Sequence, residues 1–150
     1  MADKRDTSSE SFSDAEREAM KQRAAELREQ AAGGTGSAKK KKEAQACIDA
    51  IAALTGTDKA VAELLHRIVQ DEAPHLDPKT WYGFPSYARD GKVVVFYQPA
   101  SKFDTRYGSI GFNEDALLDD GAMWATAFAV VAVTDEVEAT LRDLVHRAAG

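Results

Sequence analysis

Two groups of residues carry types and spacings that suit chemistry. The first is acidic: Glu114, Asp115, Asp119 and Asp120 fall within one short stretch ahead of Gly121. Carboxylate-only sites suit hard or labile divalent ions such as Mg²⁺, Mn²⁺ or Fe²⁺. If the stretch is a helical turn, Asp115 and Asp119 stand four apart on one face and repel by a few tenths of a kcal/mol, roughly. Either an ion compensates them, or Arg106, Lys102 and solvent do. The second group is aromatic and basic. Eleven of the twelve aromatic residues lie between Trp81 and Phe128. Most of those rings belong in a core, because each buries ~150 to 250 Å². Trp81, Tyr82 and Tyr97 also carry polar handles, and with Lys102 and Arg106 they offer a small-molecule cleft.

Other chemistry is absent from the sequence. It has no phosphate-binding glycine loop, dinucleotide fingerprint, paired-cysteine metal spacing or nucleophile elbow. His66, His75 and His146 fall on separate predicted elements without ligand spacing. Cys47 lies on the apolar stripe of a predicted helix, and reads as a small core residue more readily than as a reactive thiol. No catalytic residue is singled out.

The elements that position these residues follow from periodicity. Residues 1 to 12 are rich in Ser, Asp and Glu and predict disorder. Ser13 and Glu16 have capping-box spacing ahead of a helix reaching Ala32. Its apolar positions, Met20, Ala24, Leu27 and Ala31, form only a narrow stripe. With the glycine-rich stop at Gly33 to Ser37, this makes residues 1–38 an arm dispensable for folding, ahead of a domain over 39–150. A second helix is expected from Lys39 to Leu54. A third, capped at Thr57 and Asp58, carries Val61, Leu64, Leu65, Ile68 and Val69 and ends before Pro74. The period then changes to two. Strands Ser86 to Arg89 and Lys92 to Gln98 flank Asp90-Gly91, a two-residue hairpin turn. A third strand is expected at Thr105 to Phe112, where Gly108 and Gly111 allow a bulge or close approach. A short helical turn follows over Asn113 to Gly121. A fourth strand runs from Trp124 to Val133, with Trp124 in the core beside Phe128, and Thr134 caps a last helix. The sum is an α+β architecture with an antiparallel sheet of about four strands and helices packed against it.

Charge divides unevenly: residues 1 to 46 carry ten Lys/Arg against nine Asp/Glu, and residues 47 to 150 carry nine against sixteen. An acidic domain is repelled by phosphate backbones, so the charge argues against nucleic acid as a partner despite the Lys39 to Lys42 run. The longest uncharged apolar-rich run, Ala122 to Val133, falls short of the ~20 residues of a membrane span. No signal-peptide pattern precedes it, and a cytoplasmic location is expected.

Several segments in order resemble the YdhG-like domain family. They are Pro78 to Tyr87, Gly91-Lys92-Val93, Lys102-Phe103, Thr105-Arg106-Tyr107, Gly111-Phe112 and Leu118 to Trp124. The resemblance covers about residues 47 to 148. Some members of that family are described as frataxin-like iron chaperones. It therefore implies a frataxin-like sandwich with helices on one side of the sheet, and delivery of Fe to iron-receiving proteins that build clusters or haem. Under that implication Glu114, Asp115, Asp119 and Asp120 are the first candidates for metal ligands. The other reading is a small-molecule-binding module or minor enzyme using Trp81, Tyr82, Tyr97, Lys102 and Arg106. Where the family usually has Met-Trp-Pro, this chain has Met123-Trp124-Ala125.

Overall fold

A computed structural model describes residues 12–32 and 36–150, so the expectation of disorder over residues 1–12, Phe12 apart, and most of the glycine stop lie outside the described residues. Five helices are described, α1 (Asp14–Ala32), α2 (Ser37–Ala52), α3 (Gly56–Glu72), α4 (Ala100–Phe103) and α5 (Asp135–Ala149). The strands are β1 (Asp77–Trp81), β2 (Phe84–Arg89), β3 (Lys92–Gln98), β4 (Gly108–Phe112) and β5 (Ala127–Val130). They form one antiparallel sheet in sequence order, β1-β2-β3-β4-β5. The α+β class is as expected, with one strand more than the sequence pattern suggested.

Local chemistry explains most boundaries. Ser13 Oγ accepts from the N–H of Glu16 at 3.1 Å and donates to the Glu16 carboxylate at 3.2 Å, starting α1. Thr134 Oγ1 accepts from Val137 N at 3.1 Å, starting α5. Asp90 and Gly91 take the positive φ values, 52° and 81°, that their hairpin needs. The additional strand is joined to β2 by a second two-residue turn, in which Tyr82 and Gly83 have φ of 54° and 77°. Tyrosine rarely adopts that conformation, so the sequence pattern conceals the turn.

The main core lies where α3 and α5 pack against one face of the sheet. Leu64, Leu65, Ile68, Leu141 and Val145 meet Tyr87, Val95, Tyr97 and Ile110 there, with Cys47 and Ile51 of α2 closing one side. The β2–β3 register shifts between Tyr87 and Ala88, and Val93, Val94 and Val95 are all buried. On the opposite face, Gly111 gives its side-chain space to the Phe96 ring, the close approach that the glycine suggested. Gly108, on the core face, does the same for the Tyr97 hydroxyl.

Four expectations are corrected. α3 starts at Gly56 after Thr55, with no side-chain cap, because the Asp58 carboxylate turns to Tyr97 instead. Residues 113 to 121 form an irregular turn rather than a helical one, held by Asn113 N to Val94 O, Ala116 N to Asn113 O and Leu117 N to Ala148 O bonds. β5 is shorter than the apolar run, and Trp124 lies before it, 39% exposed. Finally, α1 docks on the sheet face opposite α3 and α5, so helices lie on both sides. Its expected apolar stripe points outward, with Met20 41% and Leu27 50% exposed. Ala19, Gln22, Arg23 and Glu26 face the sheet instead.

Candidate functional site

The docking of α1 governs the aromatic and basic group. Alternation along β1 to β3 places Lys79, Trp81, Phe84, Ser86 and Phe96 on the face that α1 covers. There Trp81 meets Tyr82 and Phe96 edge-on, with centroids 4.9 and 5.1 Å apart, and Phe84 meets Phe103 at 5.8 Å. Lys102 reaches the same patch, with Nζ 5.4 Å from the Phe84 ring centre and donating to Gln22 of α1. Arg23 of α1 stands over the Tyr82 ring at 5.9 Å. Glu26 Oε2 accepts from Tyr82 N at 3.1 Å and Oε1 from Gly83 N at 2.9 Å. Trp81, Tyr82 and Lys102 therefore do come together, but α1 fills the space above them.

The other two members of that group lie elsewhere. Tyr97 is fully buried on the core face and donates to Asp58 Oδ1 at 2.6 Å. Asp58 also accepts from Ala100 N and Ser101 N, so one carboxylate joins α3, the end of β3 and the start of α4. Burial alone would raise the Asp58 carboxyl, but the bonds from Tyr97, Ser101 and Ala100 outweigh it and hold the group below its ordinary range. Burial, and then Asp58 itself, push the Tyr97 phenol far above its ordinary value. Arg106 is exposed, its guanidinium 5.1 Å from the Tyr107 ring centre.

The acidic residues are spread around their turn. Glu114 and Asp119 border one open cleft with Asn113, Met123 and Trp124. Asp115 lies 3.9 Å from Lys92 Nζ, and its carbonyl accepts from Arg89 at 2.6 Å. Asp120 is exposed. Among the described residues no three His, Cys, Asp or Glu side chains are grouped so as to hold a metal ion.

A residue that the sequence pattern did not single out has the more unusual surroundings. Lys79, in the middle of β1, is only 5% exposed. Among the described residues its ammonium has no hydrogen bond or ion pair, and since no buried side-chain nitrogen or oxygen lacks a partner, Nζ keeps contact with solvent at the adjoining cleft. That cleft, about 210 Å³, lies between α1, α2 and β1, lined by Ala25, Gln30, Glu43, Ala46 and Thr80 around Lys79. Burial pushes the Lys79 amine below its ordinary value, and the nearby Glu43 carboxylate opposes that shift. The volume exceeds the ~10 to 15 Å³ a water needs and falls below the ~300 Å³ of drug-sized sites, so it suits a fragment-sized ligand. The available sequence signal was the period-two pairing of Lys79 with Trp81, which puts a lysine on an aromatic sheet face.

The remaining buried polar groups are structural. Cys47 Sγ lies 4.0 Å from the Tyr87 hydroxyl, which lies 3.0 Å from His66 Nδ1. Burial raises the Cys47 thiol and lowers the His66 ring, disfavouring the charged form of each, and these side chains link α2, β2 and α3. Among the described residues, no helix is long and apolar enough to cross a membrane. Comparison of the chain with protein-family models, curated proteins and solved structures finds no match to any of them.

Proposed function

We propose that this protein is a small-molecule-binding module whose ligand occupies the cleft between α1, α2 and β1. The observation that carries the reading is Lys79, whose side chain is almost wholly covered and whose ammonium, without a protein partner among the described residues, meets solvent at the wall of that cleft. Its N–H donors have no protein acceptor, and the burial around it removes part of the water that would otherwise accept from them. A ligand that brings a carbonyl or hydroxyl oxygen to Nζ supplies that acceptor, while Ala25, Ala46 and the stems of Gln30 and Thr80 accept its apolar body. The cleft also holds Glu26, Glu29 and Glu43 against Lys39, Lys42 and Lys79, which favours a ligand without net charge. Frataxin-like iron carriage is supported by the sequence resemblance alone, since among the described residues no three carboxylates are grouped to hold a metal ion, whereas the ligand-binding reading is supported by the geometry around Lys79.

Benzyl alcohol is a suitable first probe. Its titration is expected to shift the amide signals of Ala25, Gln30, Ala46 and Thr80, and Lys79→Met is expected to weaken those shifts. Shifts confined to residues 113 to 124, or none in either protein, would reject the cleft as the binding site.

A further inference from the structure

The sheet ends in two unlike edges. β1 is covered by α1 and α2, whereas β5 packs extensively on β4 alone. Hydrogen bonding fixes which groups of β5 point outward. Phe112 N donates to Thr126 O at 2.8 Å, continuing the register in which Ile110 faces Phe128 and Gly108 faces Val130. In an antiparallel ladder such pairs turn their main chains toward each other, so the intervening Ala127 and Ala129 turn theirs away from the sheet. Among the described residues, no group bonds to the N–H or C=O of either alanine.

Open donors and acceptors at an edge template another strand, and proteins usually blunt such an edge with lysine, proline or a bulge. This edge has none of the three. From Gly121 to Thr134 the chain holds no charged residue and no proline, and the pairing of β4 with β5 runs without a register shift. Met123, Val131 and Val133 beside the strand are 87%, 69% and 42% exposed.

The side chains along β5 select the occupant. Ala127 and Ala129 present only methyl groups on the outer face, so the strand offers no pocket that would specify a foreign sequence. A second β5, laid antiparallel about a two-fold axis through Phe128, is complementary without one. The N–H and C=O of Ala127 then meet those of Ala129 from the second copy, and the axis repeats the exchange on its other side. Phe128 is half-buried and edge-on to Phe112 at 6.1 Å. In this register it meets its own counterpart at the closely spaced position of the ladder, which extends the core across the seam. Each copy carries a net charge of −6, yet the uncharged stretch keeps like charges off the paired strands.

We propose that two copies of this chain pair through β5 into one continuous antiparallel sheet, with Phe128 at the two-fold axis. The surface lies at the edge remote from the α1–α2 cleft, and the pairing is independent of ligand binding there.

The test uses the full chain. Sedimentation equilibrium over a concentration series is expected to show a monomer–dimer equilibrium that tightens with added salt, because screening relieves the repulsion between two acidic copies. Amide exchange locates the contact. Where the dimer dominates, Ala127 and Ala129 are expected to exchange at least about tenfold more slowly than in dilute solution, while Phe128 and Val130, already bonded to β4, stay unchanged. Ala129→Pro removes an outward N–H that the monomer does not use. It is expected to raise the dissociation constant at least about tenfold, since the axis doubles each loss. Ala129→Glu keeps that N–H and an exposed side chain, and so serves even if the proline variant fails to fold. It brings like charges together across the seam and is expected to weaken the dimer, with part of the loss recovered in salt.

A single monomeric species up to about 1 mM would overturn the proposal. So would a dimer that leaves exchange at Ala127 and Ala129 unchanged, that neither substitution weakens, or that salt dissociates. A chain that stays monomeric while an alternating Thr-Val peptide slows those two amides would assign the edge to a foreign strand, and the second copy would be rejected.

Discussion

Glu26 of α1 holds Gly83 of the β1–β2 turn through a 2.9 Å bond from the glycine N–H, and its second oxygen takes the N–H of Tyr82. The two bonds connect residues more than fifty positions apart and convert an amphipathically weak helix into a cover for one sheet face. Charged acceptors make stronger bonds than neutral ones, so this carboxylate contributes more than the exposed apolar stripe of the same helix.

Replacing Glu26 with Ala removes both acceptors. The expected cost is about 1 to 2 kcal/mol, below the ~1.5 to 3 of a fully buried charged bond because the site is only partly buried. Denaturant unfolding together with hydrogen exchange at Tyr82 and Gly83 checks it. Unchanged exchange at both amides would mean that α1 is held by other contacts.

Stability should depend on pH through Asp58. Its carboxyl is held below the ordinary range when folded, so the unfolded chain binds the proton more readily. The contribution is therefore present above the unfolded value of ~3.9 and is lost as pH falls through the lower folded value. Asp58→Asn is expected to flatten this acid limb and to cost about 1.5 to 3 kcal/mol near neutrality, from the charged bonds to Tyr97, Ala100 and Ser101. Melting curves across the acid range for both proteins decide the matter. An equally steep loss in the variant would assign the acid sensitivity to other carboxylates.

A methyl group at Gly111 would collide with the Phe96 ring. Gly111→Ala is expected to destabilise by about 1 to 3 kcal/mol, the usual range for overpacking. Pairing it with Phe96→Leu should recover part of that loss, since the smaller side chain vacates the contested space. Purely additive losses in the double variant would show that the strain lies in the backbone.

The acidic turn gives a contrasting expectation. Asp119 is exposed, so Asp119→Asn should change stability by no more than about 0.5 kcal/mol in metal-free buffer. Anaerobic Fe²⁺ should then shift the melting temperatures of both proteins equally. A clear stabilisation of the unsubstituted protein that Asp119→Asn loses would restore iron binding at this turn, at about 2.7 kcal/mol when free metal is a hundredfold above the dissociation constant.

What the sequence determined by itself was everything decided between near neighbours. The repeats in α3 and α5, the Thr134 cap and the Asp90-Gly91 turn are such features, because helix caps, turn angles and burial period depend on residues only a few positions apart. Tertiary structure alone decided which face of α1 docks. Met20 and Leu27 would have faced inward on periodicity, yet the two main-chain N–H groups at Tyr82 and Gly83 needed an acceptor, and Glu26 lies on the opposite side of the helix. The same holds for Trp124, read as core from its alternation with Phe128 but left outside β5 because strand pairing ends at Ala127. Lys79 is the furthest from the sequence signal. Its burial arises from an edge strand covered jointly by α1 and α2, an arrangement of three segments that no local pattern encodes.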